Sequence, residues 1–177
     1  MERRELFPIL AAASVVEADA QHEHHKPALV STDAYKLEVF SREQDEVLDM
    51  LADIIMPADA ESGGAHDAKV SQYFDLLCAN VKGIRAGFEE GLAEFDAMAA
   101  KQFGHPLEHL NRKQLTSLLE IAAQDEARMA TKAGKFFNLL KFQTVEGYRL
   151  SYVGQTQWVG YKPHPPGLYP DRTIDKA

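Results

Sequence analysis

The chain has 177 residues, of which 45% are hydrophobic and 26% are charged, and its formal net charge is −8. This length and composition are those of one globular domain with enough apolar residues for a core. An acidic chain without a basic stripe repels phosphate backbones, so the composition argues against nucleic-acid binding.

The first 20 residues have the pattern of an export signal. Arg3 and Arg4 precede a short apolar run, Leu6 to Val16, which ends in the small residues of Ala18-Asp19-Ala20. A positive start, an apolar centre and a small-x-small exit are typical of secretory signals. The arginine pair favours the twin-arginine route, which exports folded proteins to the periplasm. Since no cofactor motif follows, we expect the signal to serve a partner.

An ordinary N-terminal helix is the alternative interpretation of these 20 residues. Pro8 interrupts the apolar run, and the acids Glu17 and Asp19 flank the cleavage site. The run is too short for a membrane-spanning helix, which needs about 20 apolar residues. We therefore predict an export signal and no transmembrane segment.

Residues 21–39 are predicted to form a polar leader. The leader carries His22, His24 and His25, whose imidazoles could chelate a metal loosely. No framework fixes the geometry of these side chains, so a solvated leader is the preferred interpretation.

Residues 40–153 are predicted to form a compact domain of about five helices. Ser41 and Gln44 form a capping box, Pro57 ends the first helix, and Asn111 with Gln114 offers a second capping box. No segment shows the alternation that strands need, so the predicted fold class is all-α. The apolar side chains expected to face the core are Val47, Leu48, Leu51, Ile54 and Ile55; Val70, Tyr73, Phe74, Leu77 and Val81; Phe88, Leu92, Phe95 and Ala99; Leu115, Leu118, Leu119 and Ala122; and Phe136, Leu140, Tyr148 and Tyr152.

The single cysteine, Cys78, lies beside the apolar stripe of the second helix. One thiol excludes an intrachain disulfide, a thiolate zinc cluster, an iron–sulfur cluster held by this chain alone and C-x-x-C-H haem attachment. We predict a small buried hydrophobe at this position. An intersubunit disulfide is the alternative, because an exported protein would permit one.

Residues 154–177 are predicted to form an extended tail rich in proline and aromatic residues. Four prolines disfavour a helix, yet the only tryptophan and two tyrosines lie here. Such a segment could pack on its own helices or lie across another protein, and both possibilities can hold together. The candidates for contact with a partner are Trp158, Tyr161, Leu168 and Tyr169.

The strongest catalytic pattern is His105-Pro106-Leu107-Glu108-His109, which matches the H-x-x-E-H pattern of zinc peptidases. That mechanism needs both histidines on one continuous helix, whereas Gly104 and Pro106 interrupt the chain here. A metal-dependent hydrolase using His105, Glu108 and His109 therefore stays an alternative. No phosphate-binding loop and no activated nucleophile is recognisable. We assign no catalytic, cofactor-binding or metal-binding residue to the chain.

The order and spacing of several segments resemble the gluconate 2-dehydrogenase subunit 3 family. The resemblance covers about residues 40 to 168. Its segments are Phe40–Gln44, Leu51–Asp59, Gly63–Val70, Tyr73–Asp75, Phe88–Leu92, Phe136–Leu140, Thr144–Tyr148 and Gly160–Tyr161.

The resemblance implies a non-catalytic small subunit of a periplasmic dehydrogenase. In such complexes the large subunit is an FAD-binding oxidoreductase of the glucose–methanol–choline type, and many complexes include a c-type cytochrome. The small subunit often carries the twin-arginine signal, helps the flavoprotein mature and takes it through the membrane. Substrates of the group are sugars, sugar acids, polyols and glycosides. A free-standing periplasmic binding module is a further alternative.

Overall fold

The computed structural model describes residues 35–162, which form an all-helical domain with no strand in that range. A 3-10 turn, Leu107–His109, and a single π-helical turn, Gly154–Trp158, accompany the longer helices. The all-α prediction is confirmed. The five α-helices are α1 Arg42–Ile55, α2 Val70–Asn80, α3 Lys82–Phe103, α4 Arg112–Ala123 and α5 Lys132–Leu150.

Several predictions fall on residues outside the described range. These are the export signal with Arg3 and Arg4, the histidines of the leader, and the tail residues Leu168 and Tyr169. Within residues 35–162, no helix has both the length and the apolar character required to span a bilayer.

Both predicted capping boxes are present. The Ser41 hydroxyl accepts the amide N–H of Gln44, and the Gln44 side chain accepts the N–H of Ser41. Asn111 and Gln114 repeat this arrangement at the start of α4. Each box satisfies two amides that a helix start leaves without partners, which is why α1 and α4 begin where the sequence predicts.

Aromatic rings from α2, α3 and α5 form the centre of the core. The Phe88 ring lies 5.1 Å from Phe74 and 5.9 Å from Phe136, and Phe136 meets Phe95 edge-on at 4.9 Å. A Cβ added at Gly91 would lie 2.0 Å from the Phe136 ring, so α3 and α5 approach each other closely at this glycine. The four rings are almost completely buried, and they fix α5 against the bundle.

Two residues of the predicted core are exposed instead. Val81 is 41% exposed, because α2 ends at Asn80 and the chain turns into α3 there. Tyr152 is 74% exposed. Helix α5 ends at Leu150, and the extended backbone of Ser151 breaks the periodicity that would have turned Tyr152 inward.

The tail was predicted as extended from residue 154, but its described part begins with the π-helical turn Gly154–Trp158. The prolines that disfavour a helix start at Pro163, outside the described residues. Residues 154–161 contain no proline, so a helical turn can form there, after the break at Ser151.

Cys78 is buried, as predicted, with 1% of its surface exposed. Burial raises the pKa of its thiol to about 11, so the thiol stays protonated at neutral pH. A buried, protonated thiol does not reach a cysteine of another subunit, which contradicts the alternative of an intersubunit disulfide.

Candidate partner interface

Exposed apolar side chains concentrate at the end of α5 and in the short segment that follows it. Five of the ten large hydrophobic residues exposed within residues 35–162 lie between Leu150 and Tyr161. Several exposed apolar side chains in one short segment mark an interaction site more often than a single exposed side chain does. We call this group of side chains the C-terminal patch; its members are Leu150, Tyr152, Trp158, Val159 and Tyr161.

Hydrogen bonds to Gly63 fix the patch on the domain. The Tyr148 hydroxyl donates to the Gly63 carbonyl at 2.8 Å, and the Gln157 side-chain oxygen accepts the Gly63 N–H at 2.8 Å. The Trp158 ring lies 6.1 Å from the Tyr148 ring. Residues far apart in sequence therefore hold the π-helical turn in one place while Trp158 stays 57% exposed.

The loop that carries Gly63 is itself ordered by carboxylates. Asp59 accepts the amides of Glu61 and Ser62, both at 2.8 Å, and these bonds lower the pKa of its carboxyl group. Asp67 accepts the Gly64 amide at 2.8 Å. Because the loop cannot shift freely, its two bonds to α5 and to the π-helical turn have a defined geometry.

The π-helical turn also has internal bonds that depend on Gly154. The Gly154 N–H donates to the Ser151 hydroxyl, which in turn donates to the Tyr148 carbonyl. Val159 donates its amide to the Gly154 carbonyl at 3.0 Å. A Cβ on residue 154 would lie 2.0 Å from the backbone oxygen of Tyr148, so only glycine fits here.

A second fixed segment precedes α1. We call residues Tyr35–Phe40 the N-terminal strap. The buried carboxylate of Asp75 on α2 accepts the Tyr35 hydroxyl and the amides of Glu38, Val39 and Phe40, all at 2.8–2.9 Å. Burial alone would raise the pKa of Asp75, but these hydrogen bonds outweigh it and lower the pKa.

The strap includes residues that the sequence assigned to the polar leader. In the structure, Tyr35, Glu38 and Val39 of residues 35–39 donate hydrogen bonds to Asp75 on α2. One feature of the sequence could have indicated this contact: the acid Asp75 directly follows Phe74 on the buried side of α2. A carboxylate at such a position needs several donors, and sequence alone does not say where they are.

The H-x-x-E-H residues do not share a continuous helix. His105 precedes Pro106, while Glu108 and His109 lie in the short 3-10 turn, and all three side chains are exposed. Within residues 35–162, no group of three His, Cys, Asp or Glu side chains is arranged to hold a metal ion. The geometry that the hydrolase alternative requires is therefore missing from this motif.

The predicted interface residues that the structure describes are both accessible. Trp158 is 57% exposed and Tyr161 is 55% exposed. Trp158 also contacts Tyr148, so it packs on its own domain and still presents a face outward. Sequence reasoning missed Leu150, Tyr152 and Val159 as interface residues: the helical periodicity assigned Tyr152 to the core, and the pattern did not single out Leu150 or Val159.

These features define a class of protein: a small helical domain that presents a fixed aromatic surface. Residues 42–167 match the model of the family described as gluconate 2-dehydrogenase subunit 3. The chain belongs to that family, which confirms the resemblance seen in the sequence. No curated protein and no solved structure matches the chain.

Proposed function

We propose that this chain is the non-catalytic small subunit of a dehydrogenase complex. It binds a large subunit of the glucose–methanol–choline type, helps it mature and is exported with it to the periplasm. The large subunit holds the FAD and oxidises sugars, sugar acids, polyols or glycosides. Many complexes of this kind also pass electrons to a c-type cytochrome subunit. The observation that carries the proposal is the C-terminal patch in a chain whose family is named for a dehydrogenase subunit.

The patch has the physical properties of a binding surface. Aromatic residues with few rotatable bonds contribute large contact areas at a low entropic cost. The bonds between Gly63, Tyr148 and Gln157 hold the segment in place before a partner arrives. Preorganisation lowers the ordering cost of association. A stable complex of this kind buries more than about 1,200 Å2 in total, so the patch would be part of a larger contact.

The proposed twin-arginine signal fits the same arrangement. A folded flavoprotein without a signal of its own could cross the membrane only while attached to a partner that has one. Arg3 and Arg4 would then direct the export of both chains.

Co-expression tests maturation and export directly. We expect the FAD-dependent dehydrogenase subunit to be soluble, to contain flavin and to reach the periplasm when this chain is present, and to lose all three properties without it. Flavin absorbance of the periplasmic fraction measures the result. A dehydrogenase subunit that is equally flavinated and exported without this chain would refute the proposal.

The double variant Trp158→Ala/Tyr161→Ala tests the surface. We expect its affinity for the dehydrogenase subunit to fall by about 1,000-fold, because each buried aromatic contact at the centre of an interface contributes about 2 kcal/mol and every 1.4 kcal/mol is about tenfold. Calorimetric titration gives the dissociation constant. The matched control is Ile121→Ala/Met129→Ala, which removes two exposed apolar side chains outside the patch. Equal affinities of the two double variants would contradict the assignment.

A further inference from the structure

A second surface feature lies beside the N-terminal strap. An open groove of about 430 Å3 is bounded by the strap, α1, α3 and the turn at Pro106–Glu108. Its apolar lining includes Phe40, Val47, Leu92 and Leu107, each at most 7% exposed. The groove therefore has an apolar floor that the core side chains hold in place.

The rim of this groove is acidic. Glu89, Asp96 and Glu108 line it, and no lysine or arginine of residues 35–162 does. Glu89 is paired with Arg85 at 2.8 Å, whereas no cation of the described residues pairs with Asp96 or Glu108. One oxygen of Asp96 accepts the Leu107 amide at 2.8 Å, which fixes the 3-10 turn at the edge of the groove.

The apolar floor and the acidic rim together limit which chemical groups can bind in the groove. Carboxylates repel anions, so a nucleotide phosphate or a sugar acid does not fit. An arginine side chain fits both parts, because its methylene stem covers apolar surface while its guanidinium binds carboxylates. Charge-assisted bonds of this type are about twice as strong as neutral ones.

We propose that this acidic groove is a second docking point for the dehydrogenase subunit, which inserts an arginine from an exposed segment of its surface. The inference builds on the proposed function and adds a contact separate from the C-terminal patch. The net charge of −8 favours a cationic surface on the partner, and it would speed the encounter at low salt.

The double variant Glu89→Gln/Glu108→Gln tests the groove. Both side chains are exposed, so the domain should fold normally, which circular dichroism checks. We expect the full-length variant to bind the dehydrogenase subunit about tenfold more weakly at low salt, mainly through slower association, and to depend less on salt than the wild type. Surface plasmon resonance at two salt concentrations gives both quantities.

The control is Glu46→Gln/Glu120→Gln, which removes the same charge. Glu46 is also paired with an arginine one turn earlier, and Glu120 is also exposed without an ion pair among the described residues.

A groove variant that behaves like this control would overturn the docking proposal while leaving the proposed function intact. If the wild type itself fails to bind the dehydrogenase subunit, the proposed function fails. If the groove variant only changes self-association of the isolated chain, the occupant is a second copy and the proposal is wrong.

Discussion

The substitution Asp75→Asn is expected to lower the free energy of unfolding by about 3 kcal/mol at pH 7. The carboxylate is fully buried and accepts one hydroxyl and three amides of the N-terminal strap. Asparagine offers one acceptor oxygen and turns an NH2 group toward the same donors, so at least one buried donor loses its partner. Leaving a buried donor without a partner costs about 1–3 kcal/mol of unfolding free energy, and the cost is near the upper value when the lost acceptor was charged. Urea unfolding followed by circular dichroism measures the difference.

The same substitution predicts a pH dependence with a definite sign. The pKa of Asp75 in the folded protein is lower than its ordinary value of 3.8. A lowered pKa means that the stabilisation is complete above the ordinary value and is lost as the pH falls through the folded value. The difference in unfolding free energy between the wild type and Asp75→Asn should therefore be constant from about pH 5 to pH 8 and shrink below about pH 4.

Two controls separate the strap from general effects of removing a charge. Asp59→Asn alters another carboxylate that accepts backbone amides, but at an exposed site, so we expect a loss below about 1 kcal/mol. Tyr35→Phe removes only one of the four donors to Asp75 and should cost about 1–1.5 kcal/mol. If Asp75→Asn is no more harmful than Asp59→Asn, the strap does not depend on this carboxylate.

The helices could be predicted from sequence because their signals are local. The capping boxes at Ser41 and Asn111 involve residues three apart, and the core stripes repeat every turn. The bonds that fix the strap join residues 35 to 40 positions apart, and the bond between Gly63 and Gln157 spans 94. The spacing of apolar residues contains no information on such distant partners, so the bonds between the N-terminal strap and Asp75 could not be predicted.

The candidate interface was predicted in part for the same reason. The aromatic residues after Gly154 are unusual for disordered sequence, which was enough to single out Trp158 and Tyr161. The exposure of Leu150 and Tyr152 depends on where α5 ends. Ser151 ends it through bonds with Tyr148 and Gly154, and a pattern of apolar residues alone does not reveal that break.

The substitution Gly154→Ala is expected to weaken binding of the dehydrogenase subunit about 30-fold or more while leaving the five-helix core folded. The new Cβ would lie 2.0 Å from the backbone oxygen of Tyr148, and backbone atoms cannot give way as a flexible side chain can. The π-helical turn must shift, which would separate Trp158 from Tyr148 and Gln157 from Gly63. The patch would then have to be ordered during binding, and that ordering reduces the affinity.

Trp158 is the only tryptophan, so its fluorescence reports on this turn directly. We expect a red-shifted emission in Gly154→Ala, a loss of about 1–2 kcal/mol in unfolding free energy, and the weaker binding in the same sample. Gly83→Ala is the matched control, because a Cβ there meets no atom of the described part of the chain within 4 Å. Unchanged emission would mean that the turn tolerates a side chain. A shifted emission with unchanged affinity would instead show that the fixed geometry of the C-terminal patch does not contribute to binding, and the preorganised interface would have to be abandoned.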